Sequence, residues 1–502
     1  METKTSPSPR PPGHRRGPRP AAVAAALGLC LGMLSTAAVP AGAALPRSLS
    51  APAPAAATPV QLSRGGLTVT VAEEFPQVIS YRLGTRTLGG QASVLDTFTV
   101  NGTPHRATTT MKAEASRATY TSTFADLPGL TITSTITVTE DTTVVFAVEQ
   151  ISGEAASTVR TLAIPGQSLV SVDSSAPGAN LARTKISTDS TTTADRFVPI
   201  TDGTAPDKEP VGSPYAFVGT AQLSAGIVTN ATEDSPQNDN SNWNTRLQSR
   251  IVDASEGRRR AELSVGTYTH HPQGATDPRV DTYELPRATV VLAADANGDG
   301  TVDWQDGAIA HREHMRRPLG ADRVPERVVQ RIPFNFASQA TNPFLKTLDN
   351  TKRISMATDN LGQWVLEKGY ASEGHDSAHP DYGGNENVRA GGLKDLGRLT
   401  GTGAGYNADF AVHVNATEAY AQAKTFSEEL VAGQPNGWDW LNQAYHIDQR
   451  KDLGTGAVLD RFAQLRKEAP QIRTVYIDAY YSSGWLADGL AAGLRKMGFE
   501  VA

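Results

Sequence analysis

The pattern of apolar and polar positions divides the chain into two regions with different periods. From residue 60 to residue 292, apolar and β-branched residues come in short alternating runs, separated by turn formers such as Gly89-Gly90 and Asn101-Gly102. Short strands with turn signals between them are typical of an all-β sandwich. The clearest runs are residues 66–71, 77–83, 130–139 and 143–151. We therefore predict a β-sandwich domain over residues 60–292.

Strands and helices alternate in the second region, which we place at residues 331–502. Helical patterns occupy residues 417–431, 457–467 and 485–497, and such alternation indicates βα units around a parallel sheet. The predicted strands are RIPFNFAS from Arg331, residues 363–370, 408–415 and 473–481, and FEVA from Phe499. This order predicts the first half of a (β/α)8 barrel, so the fold class is multidomain, β plus α/β.

The first 59 residues have a composition of their own. Four arginines between residues 10 and 19 precede an apolar run at 21–34, and Ala-Gly-Ala follows at 41–43. This order is typical of a secretory signal peptide, and the run is shorter than the roughly twenty residues of a membrane-spanning helix. We predict a signal peptide at 1–43, an Ala/Pro-rich linker at 44–59 and a secreted protein without a membrane span. Cleavage would remove Cys30, the single cysteine, although lipidation at Cys30 is an alternative.

Polar residues follow the apolar part of three predicted barrel strands. Asp478 comes directly after Val475-Tyr476-Ile477, the segment 373–376 follows the second strand, and His413 and Asn415 end the third. Active sites of (β/α)8 barrels lie at the carboxyl ends of the strands. These side chains are therefore candidates for a site, with His413 and Asn415 as pocket lining. The alternative for Asp478 is a residue that starts a turn or caps the next helix.

The segment DANGDGTVDWQD, residues 295–306, matches an EF-hand calcium loop. Oxygen-bearing side chains occupy loop positions 1, 3, 5 and 12, glycine occupies position 6, and a backbone carbonyl is available at position 7. The predicted Ca²⁺ ligands are Asp295, Asn297, Asp299, Thr301 (carbonyl) and Asp306. We predict a structural calcium ion within the connecting segment 293–330. The alternative is a turn rich in Asn, Asp and Gly that binds no metal.

Five motifs in this order resemble one enzyme family. They are residues 303–313 (DWQDGAIAHRE), 367–383 (EKGYASEGHDSAHPDYG), 412–420 (VHVNATEAY), 436–443 (NGWDWLNQ) and 475–481 (VYIDAYY). They resemble the endo-α-N-acetylgalactosaminidases of glycoside hydrolase family 101. The resemblance implies a β-supersandwich followed by a (β/α)8 barrel. It also implies release of Galβ1-3GalNAc from Ser and Thr of mucin-type O-glycoproteins, with retention of configuration.

The resemblance also implies roles for individual residues. Asp478 matches the nucleophile, and His375 and Asp376 match a substrate-binding pair. Trp438 and Trp440 match an aromatic lid over the disaccharide, since indole faces are good platforms for sugar C–H groups. The alternatives are a structural histidine at 375 and ordinary packing of the two tryptophans.

A retaining glycosidase needs a second carboxyl group that protonates the leaving oxygen. The resemblance places this acid/base glutamate two residues beyond Ala502, and Glu500 lies four residues before that position. We therefore expect the 502 residues to be a fragment that does not hydrolyse glycosides efficiently, and we expect no rescue by Glu500.

The net charge and the absence of a basic stripe limit the classes of binding partner that we expect. A net charge of −6 without clustered Lys and Arg does not favour nucleic acid, so O-glycoprotein or mucin glycans remain the expected partners. Two other classes stay open, namely a secreted carbohydrate-binding or adhesion module and a calcium-bound structural domain. Asp478 favours the enzyme, because sugar binding alone does not require a nucleophile.

Overall fold

The computed structural model describes residues 58–140, 142–184, 195–234, 245–281, 283–336, 338–439 and 441–502. The predicted signal peptide and nearly all of the predicted linker lie outside these residues. The described residues belong to a compact unit that spans residues 54–502. No helix in the described ranges is long and apolar enough to cross a membrane.

Short antiparallel strands fill the first part of the described chain. In chain order they are β1 Pro59–Arg64, β2 Leu67–Ala72, β3 Val78–Leu83, β4 Arg86–Gly89, β5 Thr97–Val100, β6 Thr103–Ala113, β7 Arg117–Phe124, β8 Thr131–Glu140, β9 Thr143–Ser152, β10 Thr161–Ala163, β11 Val170–Asp173, β12 Asn180–Arg183, β13 Arg196–Pro199, β14 Val211–Ser213, β15 Ala216–Gly219, β16 Ser224–Thr229, β17 Leu247–Asp253, β18 Arg259–Val265, β19 Tyr268–Thr269 and β20 Arg287–Ala293.

These strands form two large sheets. One has the order β1-β2-β3-β4-β11-β18-β17-β14, and the other has the order β13-β12-β15-β16-β20-β9-β8-β7-β6-β5-β10-β19. Alternate side chains point to opposite faces of a strand, so Val69, Val71, Ile132 and Ile136 face inward with their neighbours in one buried cluster. This cluster draws on both sheets and forms the sandwich core.

The second part of the chain alternates helices and strands. Its elements are α1 Trp304–His314, β21 Val329–Arg331, α2 Phe344–Ala357, β22 Gln363–Glu367, α3 Gly392–Gly403, β23 Ala408–Asn415, β24 Glu418–Tyr420, α4 Glu428–Val431, β25 Asn436–Asp439, β26 Gln443–His446, α5 Gln449–Gly454, α6 Ala457–Glu468, β27 Ile472–Ala479, α7 Gly484–Lys496 and β28 Glu500–Val501.

Strands β21, β22, β23, β27 and β28 form a parallel sheet in that order. Their outward side chains, such as Phe410, Val412 and Val475, are buried in a second apolar cluster with residues of α2, α3, α6 and α7. Close approach of α7 to α6 requires a small residue, because a Cβ at Gly493 would lie 2.7 Å from Leu459 Cδ2. The predicted fold class, a β-sandwich followed by βα units, is confirmed.

Two predictions of local structure were wrong. Residues 417–431 are not one helix, since β24 and the short helix α4 occupy that range. Strand β24 pairs with β26, and β26 pairs with β25, which gives a small separate sheet. The first barrel strand begins at Val329, earlier than predicted, because Val329–Arg331 pair with Gln363–Val365 whereas Pro333 offers no amide hydrogen.

The sandwich holds the α/β region through buried and polar contacts. The amides of Thr276 and Asp277 both donate to Gly454 O at the end of α5, each at 2.9 Å. Asp234 accepts a hydrogen bond from Arg450 at 2.6 Å, and Trp485 N at the start of α7 donates to Glu233 O at 2.8 Å. The helices beside β27 are therefore fixed by loops of the sandwich.

Candidate active site

The parallel sheet has one apolar and one polar face, because successive side chains alternate. Val412, Val414 and Val475 face the helices. His413 on β23 and Tyr476 on β27 are register partners on the opposite face, with ring centroids 5.9 Å apart in a stacked arrangement. Asp478 follows Tyr476 on the same face of β27. The sequence Val-His-Val-Asn and its neighbour Tyr-Ile-Asp therefore place polar groups together at the carboxyl end of the sheet.

Asp478 contacts the imidazole of His413. His413 Nε2 lies 3.2 Å from Asp478 Oδ2, without the alignment of a regular hydrogen bond. The His413 side chain is 2 % exposed, whereas that of Asp478 is 45 % exposed. Interaction with the His413 side chain lowers the pKa of the Asp478 carboxyl to about 2. Asp478 is therefore an accessible, ionised carboxylate at neutral pH.

The loop after β22 brings His375 and Asp376 to the same place. His375 Nε2 lies 3.0 Å from Asp376 Oδ2, and the His375 ring meets the His413 ring edge to face at 4.9 Å. Burial lowers the pKa of His375 to about 4, so its ring is neutral at pH 7. Its Nδ1 is buried and has no hydrogen-bond partner among the described residues.

Asp376 is flanked by a second histidine. His379 Nε2 lies 3.5 Å from Asp376 Oδ1. Burial raises the pKa of Asp376, but interaction with the His379 side chain and with the other neighbouring imidazoles outweighs it and lowers the pKa below its ordinary value. Asp376 is therefore a second ionised carboxylate. Together with His413, these side chains line a shallow recess.

The backbone of this loop is held in an uncommon conformation. Ser372, Asp376 and Ala378 have φ angles of 50°, 54° and 55°, in the left-handed region that residues with a Cβ seldom adopt. Such conformations cost about 1–3 kcal/mol each and persist only where the surroundings enforce them. One enforcing contact is the hydrogen bond from His375 N to Asn335 O at 2.8 Å. The loop is therefore built to hold His375 and Asp376 in one orientation.

The other predicted site residues lie elsewhere. Trp438 is on β25 with its side chain 61 % exposed, and Trp440 lies outside the described residues. Asn415, predicted as pocket lining, is buried, and its Oδ1 accepts the amides of Thr417 and Glu418. The structure thus brings His375, Asp376, His413 and Asp478 close together, whereas the Asn415 side chain stabilises the turn after β23.

Glu500 lies at the opposite edge of the sheet. It pairs in register with Thr474, four residues before Asp478, and its Oε2 accepts a hydrogen bond from Thr474 Oγ1 at 3.0 Å. Its other oxygen contacts Arg323. At about 3.3 Å per residue, four residues separate Glu500 from the level of Asp478 by roughly 13 Å.

The predicted calcium loop directs its oxygens at its own backbone. Asp295 accepts the amides of Gly298, Asp299 and Gly300, and Asp299 accepts that of Thr301. Asp306 is buried and forms a capping box with Asp303 at the start of α1. Within the described ranges, no three His, Cys, Asp or Glu side chains are grouped so that they could hold a metal ion. The calcium site stays a prediction.

Sequence reasoning missed two polar residues near the site. His379 lies inside a quoted motif, but its contact with Asp376 depends on the turn between them. Glu418 lies in the segment that we predicted as a helix, and the structure buries it with its Oε1 accepting a hydrogen bond from Trp438 N. A glutamate three residues after the end of the buried strand β23 was the available signal.

Comparisons with known proteins agree with this architecture. The family described as "Endo-alpha-N-acetylgalactosaminidase" matches residues 305–502, and the "Galactose mutarotase-like fold domain" matches residues 62–304. A Renibacterium salmoninarum protein, provisionally named endo-alpha-N-acetylgalactosaminidase, is 41 % identical over 460 residues. That match covers 90 % of this chain and 30 % of the relative, so the chain spans about a third of the relative's length.

A solved structure matches at the level of the fold. The GH36 α-galactosidase AgaB from Geobacillus stearothermophilus superposes with a TM-score of 0.53 at 12 % identity, over 87 % of this chain and 68 % of that one. The α-N-acetylgalactosaminidase NagBb from Bifidobacterium bifidum gives 0.44 at 12 % identity, over 88 % and 77 % of the two chains. Residues 305–502 of the chain thus match the endo-alpha-N-acetylgalactosaminidase family, and a galactose mutarotase-like domain matches the residues before them.

Proposed function

We propose that the protein is a secreted retaining glycoside hydrolase that releases Galβ1-3GalNAc from Ser and Thr of mucin-type O-glycoproteins. The observation that carries the proposal is Asp478, a half-exposed carboxylate whose pKa of about 2 keeps it ionised beside buried His413. The match of residues 305–502 to the family and the name of the Renibacterium salmoninarum relative support the chosen substrate.

Asp478 would act as the nucleophile. One of its oxygens attacks the anomeric carbon, and the bond from that carbon to the Ser or Thr oxygen breaks while a separate carboxyl group protonates the leaving oxygen. In the second step the separate carboxyl group, now ionised, accepts a proton from a water molecule while the water oxygen attacks the anomeric carbon. The ester bond to Asp478 breaks, and the disaccharide leaves with its original configuration. Glu500 receives no catalytic role, because it is held by Arg323 and Thr474 at the opposite edge of the sheet.

His375 and Asp376 would orient the sugar. Asp376 is ionised and can accept hydrogen bonds from hydroxyl groups, whereas neutral His375 keeps an unpartnered Nδ1 beside the recess. Because their loop is held in left-handed backbone conformations, little reorganisation is needed when the substrate binds.

Covalent labelling tests the assignment in the protein as its host makes it. A fluorinated, mechanism-based Galβ1-3GalNAc inhibitor should form an ester that peptide mass spectrometry locates at Asp478. Asp478→Asn should lose the label and keep disaccharide binding. Asp478→Gly should regain turnover with azide, giving a glycosyl azide of inverted configuration. Asp376→Asn serves as the matched carboxylate control and should weaken binding while the label stays at Asp478. A label at Asp376 would contradict the assignment, and binding without any turnover would favour the binding module.

We propose secretion and calcium binding as further properties. Secretion rests on the sequence of residues 1–43, and the N-terminal residue of protein from the culture medium would test it, with Ala44 expected. Calcium binding rests on the loop pattern of residues 295–306. Thermal unfolding in calcium and in chelator tests it.

A further inference from the structure

We propose that Glu418 is a positioning residue, whose carboxylate fixes the exposed Trp438 indole relative to the active-site edge of the sheet. The inference rests on the proposed function, because a sugar platform is the role given to Trp438. It assigns a new residue to that function, one that does not itself touch the sugar.

Glu418 connects the main sheet to the small sheet. Its Oε2 accepts a hydrogen bond from Asn415 Nδ2 at 2.9 Å, and its Oε1 accepts one from Trp438 N at 2.7 Å. Asn415 ends β23, two residues after His413. The bonds Asn415–Glu418–Trp438 therefore run from the strand that carries His413 to the backbone of the exposed indole.

The surroundings leave Glu418 little freedom. It is 8 % exposed, and among the described residues it forms no ion pair with Lys, Arg or His. Its neighbour Gly437 has no side chain, and a Cβ there would lie 2.3 Å from Glu418 Oε1. Strands β25 and β26 pair irregularly between Asn436 and Asp439, so the Trp438 amide uses Glu418 as its acceptor.

A carboxylate is required at this position. Asn415 Oδ1 already accepts the amides of Thr417 and Glu418 at 2.9 and 3.1 Å, so its Nδ2 must point toward Glu418. Glu418 consequently faces two donors, and only a group with two acceptor oxygens satisfies both. Glutamine would turn its NH₂ against either Asn415 Nδ2 or Trp438 N and leave a buried donor unpaired.

Two measurements on Glu418→Gln test the inference. In protein labelled with 5-fluorotryptophan, the Trp438 resonance is identified by its loss in Trp438→Phe, since the chain has six tryptophans. We expect this resonance to shift or broaden in Glu418→Gln and to stay unchanged in Glu429→Gln, an exposed glutamate on α4 that serves as the control. For Galβ1-3GalNAc release, we expect KM to rise roughly tenfold while kcat changes less than about twofold.

The outcomes separate this inference from the proposed function. An unchanged Trp438 resonance in Glu418→Gln overturns the positioning role, as does a changed resonance with an unchanged KM. If the wild-type protein neither binds nor cleaves the disaccharide, the proposed function fails, and with it the sugar-positioning role, while the resonance still reports whether Glu418 orders Trp438. Gly437→Ala is the second variant if Glu418→Gln does not fold. Its Cβ displaces Glu418 Oε1 without removing the carboxylate, so the same resonance change is expected.

Discussion

Acidic residues have opposite environments at the two edges of the parallel sheet, namely the edge where its strands begin and the edge where they end. Where the strands begin, buried Asp409 lies 2.7 Å from Arg327 Nε and 2.9 Å from Arg473 Nε. Where the strands end, Asp478 lies at ion-pair distance from the imidazole of His413, 3.2 Å, and stays 45 % exposed. A guanidinium is always charged and binds a carboxylate firmly, whereas an imidazole leaves an exposed carboxylate available for other partners. The partner and the exposure, more than the residue type, separate a structural carboxylate from a reactive one.

The sharpest test of this comparison is the same substitution at both edges. Asp409→Asn removes the buried carboxylate that pairs with half-buried Arg327 and exposed Arg473, and it should lower the free energy of unfolding by about 1.5–3 kcal/mol. Asp478→Asn should cost less than about 1 kcal/mol, because exposed ion pairs contribute little. Urea unfolding at pH 7 measures both. Equal losses at the two positions would contradict the distinction between the edges.

A third carboxylate, Glu367 at the end of β22, shows the effect of excluding solvent. It is fully buried on β22, its two oxygens have no hydrogen-bond partner among the described residues, and burial raises its pKa to about 8 despite the charge of Arg331. Between its ordinary pKa of 4.5 and about 8, the folded state holds a proton that the unfolded state releases. Stability should therefore fall as pH rises through this window, by up to about 1.4 kcal/mol per pH unit.

Glu367→Gln should remove that dependence. Unfolding curves at pH 5 and pH 8 should differ less in the variant than in the wild type, because glutamine does not titrate. The exposed Glu429→Gln provides the control and should keep the wild-type difference. A wild-type protein with equal stability at the two pH values would contradict the raised pKa.

The sequence predicts repeated, locally encoded features best. The residues of β23 and α6 alternate or recur so regularly that both elements were placed within one residue, and Asp478 was correctly put at a strand end. The helix predicted at residues 417–431 failed because Glu418–Tyr420 pair with Ala444–His446 of β26, and pairing between segments far apart in the chain leaves no local signal. The contacts of His413 and His379 with carboxylates depend on pairing between strands and on a strained loop, and neither leaves a periodic signal.

The acidic loop at residues 295–306 allows two sources of stability to be separated, its own hydrogen bonds and a bound metal ion. Asp306 Oδ1 accepts the amides of Ala296 and Asn297, and Oδ2 accepts that of Asp303. Asp306→Asn would set an NH₂ against an amide hydrogen and should cost about 1–3 kcal/mol, with or without calcium. Thermal unfolding in calcium and in chelator measures both effects.

If the loop binds calcium as predicted, chelation should lower the melting temperature of the wild type. Asp299→Ala should abolish this response, and calorimetry should lose one binding event. Identical melting of the wild type with and without calcium would remove the calcium hypothesis and leave Asp306 as a residue that caps α1.

The smallest expected effect concerns the ionisation of Asp478. Contact with His413 lowers the pKa of Asp478 from 3.8 to about 2, so the charged form is favoured and is lost only as pH falls through about 2. His413→Phe keeps a flat ring beside Tyr476 but removes the nitrogen, so the acid limb of kcat/KM should move up by about one to two pH units. His413→Gln keeps a donor and should move the limb less. Because Asp478 is ionised at pH 7 in all three proteins, the loss specific to ionisation should appear only near pH 3–4. An acid limb at the same pH in wild type and His413→Phe would show that His413 does not control the charge of Asp478.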